Sequence, residues 1–410
     1  VKVKAPDEPV KLGDAFKAEV KAAYYFGAPV TEAKIRYKVL RYDYSGDWYP
    51  VCIWDWLYGP GYWWFGYNYT WYPGWCEWGW RRPDQKIWWY RRWHPPVKPE
   101  VAAEGEAELS SEGTFAIEID SSLAAELYSD RDHRYQITAE VTDRSRRTIV
   151  GTGKVLVSRK PFNVNVWVDR GYFRTGQTVR AHFRAARIDG KPVSGKAEVK
   201  LLKIGYKDSS PSETPVDTWK LDIPEQGTAD LQLKAPRSGQ YRLSCTLTDS
   251  KGHTREGGYI FVVRGEDFDG ADFNFNDIEL VPDKRDYRPG ETAEMMINTD
   301  RSGSTVLFFP RASNGVYLEP DVLHMQGKSA VRDVRVAKKD MPNFFTEALT
   351  VSNGKVHTTV RQIAVPPEKR VINVDVIASN RDKRYKPGEK ASYTVKLTDT
   401  SGKPVSGSAV

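Results

Sequence analysis

The chain is short of cysteine, of long apolar runs and of concentrated charge, and each shortage removes a class of protein. No stretch of the 410 residues approaches the ~18 consecutive apolar positions of a membrane-spanning helix. No secretory leader opens it. It begins Val1-Lys2-Val3 and stops mid-pattern at Gly407-Ser408-Ala409-Val410, so both ends read as boundaries inside a longer protein. Three cysteines, Cys52, Cys76 and Cys245, say little about redox compartment. The net charge of +7 is modest. Its basic residues are dispersed, apart from pairs such as Arg81-Arg82, Arg91-Arg92 and Arg146-Arg147, and no nucleic-acid reading module accompanies them. The six histidines (His94, His133, His182, His253, His324 and His357) are scattered, with no His-Glu-x-x-His and no paired Cys-x-x-Cys to hold zinc. His133 beside Asp132 reads as a loop pair. Gly-x-Ser-x-Gly and Walker loops are also missing. The expectation is a non-catalytic protein without cofactor or metal.

What is present is turn-rich and globular. Hydrophobic residues make up 40% and charged residues 28%, with 25 Pro and 32 Gly, on a length that suggests roughly three or four domains. The organising signal is a repeat. Tyr172-Phe173-Arg174-Thr175-Gly176-Gln177 corresponds to Tyr287-Arg288-Pro289-Gly290-Glu291 and to Tyr385-Lys386-Pro387-Gly388-Glu389. Alternating apolar and polar runs follow, as in Thr178–Ala185 and Ala391–Leu397, the pattern of strands with one face in a core. A second mark, Gly-x-Pro-Val, lies 14 residues after the turn glycine: Gly27 after Gly13, Gly190 after Gly176, Gly402 after Gly388. The unit beginning at Gly290 lacks it and has Arg301-Ser302-Gly303 instead. A third mark pairs Tyr135 and Thr142-Asp143 with Tyr241 and Thr248-Asp249. One short helix is expected, over Ser121–Tyr128. Short strands between turns predict tandem β-sandwiches. The expected pieces are 1–158, 159–265, a solvated linker over 266–274, 275–370, and 371–410 as the start of a further domain. Glu266–Asp272 does not fit a calcium loop, because Gly270 at the sixth position puts Gly265 and Asn276 where acids belong.

The first unit is lengthened by residues 48–98, where 12 of the 14 tryptophans gather with seven tyrosines and Phe65. Two readings stand. One is a binding platform for glycans: Trp63, Trp64, Trp71, Trp75, Trp78, Trp88 and Trp89 stack on sugar rings, and Arg81 and Arg82 hold anionic groups. The other is a mini-core, because a long excursion must bury its own apolar surface. Cys52 and Cys76 bracket its Gly- and Pro-rich part and are expected to form a disulfide, with Cys245 a buried free thiol.

Gly13-Asp14 followed by Ala23–Val30 resembles the third macroglobulin domain of the alpha-2-macroglobulin family. Asp382–Gly407, DKRYKPGEKASYTVKLTDTSGKPVSG, resembles the start of its sixth. Pro342-Asn343-Phe344-Phe345 after Val306-Leu307-Phe308-Phe309 resembles its fifth. The resemblance covers the chain outside 48–98 and implies immunoglobulin- or fibronectin-III-like sandwiches numbered three to six. It also implies an exported bacterial protein, periplasmic or surface-exposed, whose family traps proteases through a cleavable bait and, in many members, a Cys-Gly-Glu-Gln thioester. This chain has no Cys-Gly-Glu-Gln. The bait is expected beyond Val410, which leaves scaffold here, with the other domains of the longer chain as partners. The rival reading is an adhesive or glycan-binding module centred on 48–98.

Overall fold

A computed structural model describes residues 1–65, 67–80, 99–208, 210–312, 319–367, 371–380, 385–386, 388–399 and 401–406. The chain divides into two compact units: Val1–Val51, Gly66–Phe268 and Asp272–Asn274, and Cys52–Phe65, Asp269–Ala271 and Phe275–Val410. Among the described residues no helix is long and apolar enough to cross a membrane.

The first unit holds two sandwiches of one topology. In the first, the strands are β1 (Lys2–Lys4), β2 (Val10–Lys11), β3 (Ala15–Lys21), β4 (Lys34–Tyr44), β5 (Glu100–Glu108), β6 (Thr114–Asp120), β7 (Asp132–Thr142) and β8 (Thr148–Ser158). They form sheets β1-β3-β6 and β2-β8-β7-β4-β5, with β2 parallel to β8. The second has β9 (Asn163–Val168), β10 (Tyr172–Arg174), β11 (Thr178–Ala186), β12 (Gly195–Lys207), β13 (Ser210–Ile223), β14 (Thr228–Lys234), β15 (Gly239–Asp249) and β16 (Thr254–Arg264). Its sheets, β9-β11-β14 and β10-β16-β15-β12-β13, repeat the first strand for strand, including the parallel pair β10 and β16. Alternation sets the cores: Phe16, Ala18 and Val20 of β3 point inward while their neighbours are exposed. The expected helix lies at Ser122–Leu127.

In the second unit, β17 (Ile278–Pro282), β18 (Thr292–Thr299), β19 (Thr305–Ala312), β20 (Asp321–His324), β21 (Ser329–Arg335), β22 (Asn343–Ser352) and β23 (Lys355–Ala364) form sheets β17-β18-β21 and β20-β19-β22-β23. The strand corresponding to β2 is reduced to one parallel bridge, Asp286 to Ala364. Its core includes Leu280, Met295, Ile297, Val306, Phe308 and Ala348. A two-stranded ribbon, β24 (Ile372–Ala378) with β25 (Tyr393–Asp399), follows.

The repeat marks are turns. Gly13, Gly176, Gly290 and Gly388 all have φ between 80 and 101°, where a side chain is strained. At the Gly-x-Pro-Val marks the backbone bonding is the same three times over. The amides of Gly27, Gly190 and Gly402 bond three residues back, and those of Val30, Val193 and Val405 bond to Ala22, Ala185 and Leu397. Bridges Ala23–Pro29, Ala186–Pro192 and Thr398–Pro404 complete the set. The third mark also repeats. Asp143 Oδ1 accepts from Arg147 N at 3.0 Å, and Asp249 Oδ1 from His253 N at 2.8 Å, each closing a hairpin.

In 266–274 the side chains of Glu266, Asp267, Asp269, Ala271 and Asp272 are exposed, while the backbone at Asp269 is bonded. The Asp269 carbonyl accepts from the amides of Lys328 and Ser329 at 2.7 and 2.6 Å. A side chain at Gly270 would meet Ser329 Cβ at 2.8 Å. Phe268 and Phe275 are both buried.

Candidate functional site

In its described residues the aromatic insertion has most of its rings buried, and hydrogen bonds tie several of them to the sandwiches. Within the first unit, residues 67–80 are anchored to the second sandwich. Tyr67 Oη donates to the Gly171 carbonyl at 2.8 Å, and Trp80 Nε1 to that of Val166 at 2.6 Å. The Trp78 ring faces the Arg242 guanidinium, 4.6 Å from its centroid. Arg242 is buried and holds both oxygens of Glu213 (2.6 and 2.8 Å) and one of Glu256 (2.6 Å). Tyr72 Oη donates to the same Glu213 at 2.7 Å. Burial pushes the Glu213 carboxyl up, but the bonds from Arg242 and Tyr72 outweigh it and hold it below its ordinary range. Glu77 receives Lys160 at 2.9 Å and Arg255 at 3.1 Å. Tyr69, Trp75, Trp78 and Tyr72 are joined ring to ring at 5.2–5.9 Å.

Two adjacent glycines make room for this. A side chain at Gly258 would meet Trp78 Cε3 at 2.6 Å, and one at Gly257 would meet the Val164 carbonyl oxygen at 2.1 Å. Strand β16 thus turns one bare face to the core and the other to the insertion. Sequence reasoning passed over Arg242, Glu213, Glu256 and Gly258. Their signal was present: Tyr259-Ile260-Phe261-Val262-Val263 is continuously apolar instead of alternating, which marks a strand covered on both faces.

Residues 52–65 belong to the second unit. Tyr58 Oη donates to the Pro342 carbonyl at 2.6 Å and Tyr62 Oη to Asp286 Oδ2 at 3.4 Å. The Arg285 guanidinium lies 4.7 Å from the Trp63 ring centroid.

The residues expected to bind glycans are therefore placed as follows. Trp63, Trp64, Trp75 and Trp78 are buried and faced by protein, and Trp71 is 39% exposed. Arg81, Arg82, Trp88 and Trp89 lie outside the described residues, as does His94. A cavity of about 1010 Å³ in the first unit is bordered by Trp48, Trp80, Glu77, Arg159 and Arg184 among others, with Arg184 4.2 Å from the Trp48 ring centroid. Among the described residues no cluster of three His, Cys, Asp or Glu side chains suits a metal ion. His133 is not half of a loop pair: it is buried in β7, and burial together with Arg41 lowers its pKa.

The expected Cys52–Cys76 disulfide would span the two units. Cys52 and Cys76 are free thiols that fall in different units. Cys52 is half-buried, with Arg285 at 3.9 Å from Sγ, and Cys76 is exposed on the short helix Trp75–Trp78. Cys245 is fully buried in β15, and burial pushes its thiol up to about 12. Titration with a thiol reagent is expected to find Cys76 fast and Cys52 slow in the folded protein. Cys245 should react only on unfolding, for a total of three. A single group in unfolded, unreduced protein would restore the Cys52–Cys76 bridge.

A family model described as the alpha-2-macroglobulin bait region domain matches residues 278–410. That corrects the expectation that bait-related sequence lies wholly past Val410. Among curated relatives, an alpha-2-macroglobulin homolog from Nostoc sp. is 20% identical over 99% of this chain and 21% of its own length. A homolog from Deinococcus radiodurans is 24% identical over 44% of this chain and 19% of its own. Among solved structures, trypsin-activated alpha-2-macroglobulin from Escherichia coli aligns with 98% of this chain and 26% of that chain, at 13% identity and a TM-score of 0.36. The chain spans about a fifth of the length of these curated relatives.

Proposed function

From the premise that the chain is alpha-2-macroglobulin-like, we propose that it is a non-catalytic scaffold segment of a larger bacterial protease-trapping or envelope-defence protein. In this reading 1–158, 159–265 and 275–370 correspond to macroglobulin domains three, four and five, and 371–410 begins the sixth. The whole protein works outside the cytoplasm, in the periplasm or at the cell surface, and meets proteases through bait sequence, toward which the 278–410 match points. The observation that carries the scaffold role is the eight-strand topology repeated strand for strand between the first two sandwiches, and in a seven-strand version in the third. Each closes its own core, so none has a low-barrier rearrangement of its own.

The test is to incubate this chain with proteases of different specificity and follow cleavage of a large protein substrate. No protection is expected, and no covalent coupling to amines. Stoichiometric protection of the large substrate would overturn the scaffold reading and assign inhibition to this segment.

A further inference from the structure

The Gly-x-Pro-Val turns share one backbone but do different things with their tips. In the second sandwich the tip is Arg187-Ile188-Asp189-Gly190, and it is used to join two domains. Ile188 is 7% exposed and sits on the first sandwich at Gly46, where a side chain would come within 3.1 Å of its Cγ1. Beside it Arg187 bonds Glu8 of the first sandwich at 2.7 Å. The tip of one repeat thus seats on the repeat before it.

The same turn in the first sandwich is Tyr24-Tyr25-Phe26-Gly27, and Tyr25 stands in the place of Ile188, two residues before the glycine. Its backbone bonds match: Tyr24 N to Ala28 O corresponds to Arg187 N to Lys191 O. Yet Tyr25 is fully exposed and Phe26 is 79% exposed. The Tyr24 and Phe26 rings stack at 5.4 Å, 2° from parallel, as a flat apolar plate. Next to it lies a recess of about 210 Å³ bordered by Val1, Ala22, Val30 and Ile149. Tyr24 is 36% exposed, so with Tyr25 and Phe26 it forms a contiguous exposed apolar patch, the kind of surface that marks an interaction site.

We propose that Tyr24-Tyr25-Phe26 is the docking surface for a β-sandwich of the same repeat, placed N-terminal to this one in the longer protein. Tyr25 would seat on that domain as Ile188 seats on the first sandwich. The proposal rests on reading the chain as consecutive domains of a longer protein. With Tyr24 where Arg187 stands, the partner face needs no carboxylate: it is an uncharged recess beside a glycine or another small residue.

Hydroxyl-radical footprinting compares the natural full-length protein with the 410-residue chain, with Ile188 as the internal control. Tyr25 and Phe26 are expected to be labelled several-fold less in the full-length protein, and Ile188 to be protected equally in both. Equal labelling of Tyr25 in both, with Ile188 protected, overturns the docking surface and leaves the multidomain reading intact. A natural sequence with no sandwich before Val1 overturns both. Tyr25→Ser should leave the melting of the 410-residue chain unchanged and lower the N-terminal transition of the full-length protein. An unchanged full-length transition also counts against the proposal.

Discussion

Gly258→Val is expected to release residues 67–80 from the second sandwich while leaving that sandwich folded. Gly257→Ala, one position earlier, is expected to break the sandwich itself. Successive residues of a strand face opposite sides, and here the two sides have different owners. At Gly257 the added carbon meets backbone, Val164 O at 2.1 Å and Val164 C at 2.7 Å. A backbone held in β9 cannot step aside, so the cost exceeds the ~1–3 kcal/mol usual for overpacking. At Gly258 the obstacle is the Trp78 ring, which can leave, at about the 3–5 kcal/mol of deleting a buried tryptophan. Its departure uncovers Arg242, whose bonds to Glu213 and Glu256 stay within the sandwich. The measurements are tryptophan emission and amide exchange. Gly258→Val should shift emission to the red with β15 and β16 still protected, and Trp78→Ala should mimic it. Gly257→Ala should expose β15 and β16. If both glycine variants leave emission and exchange as they were, the docked insertion is wrong.

Amides of 372–399 should exchange orders of magnitude faster than those of 278–364, and limited proteolysis should cut near Val371 first. The pairing Val374–Leu397 and Val376–Val395 puts apolar side chains on one face of the ribbon. Val374, Val376, Val395 and Tyr393 are all more than half exposed. A two-stranded ribbon is at best marginal in water without a third strand or a covered face. Exchange there as slow as in 278–364 would mean that the ribbon is already closed, against the partial-domain reading.

What could be read from the sequence was local. The turn glycines, the Gly-x-Pro-Val hairpins, the Asp143 and Asp249 hairpins and the helix at Ser122–Leu127 depend on neighbours in the chain, and their chemistry names them. The third sandwich kept its Gly290 turn while losing the Gly-x-Pro-Val mark, and its topology survived that loss. The destination of the insertion was not readable, because it depends on strands far away. Tyr72 meets Glu213 across 141 residues and Tyr67 meets Gly171 across 104. Composition announces that such rings must be buried, but not under what. Cys52 and Cys76 looked like partners for the same reason, being close in sequence and yet drawn to different units. In 266–274 the acidic side chains are exposed, but the backbone bonds that Asp269 accepts from Lys328 and Ser329 had no signal in composition.

The division of the insertion between units also sets a timetable for synthesis. Tyr58 is made 284 residues before Pro342, the residue it bonds. At the ~5–20 residues per second of a ribosome, that gap lasts on the order of 15–60 s. The first two sandwiches can close in that interval, while Trp54, Trp63, Trp64 and Phe65 are still without the surface that buries them. A nascent chain of this protein therefore carries the rings of Cys52–Phe65 through much of its own synthesis before Pro342 is made.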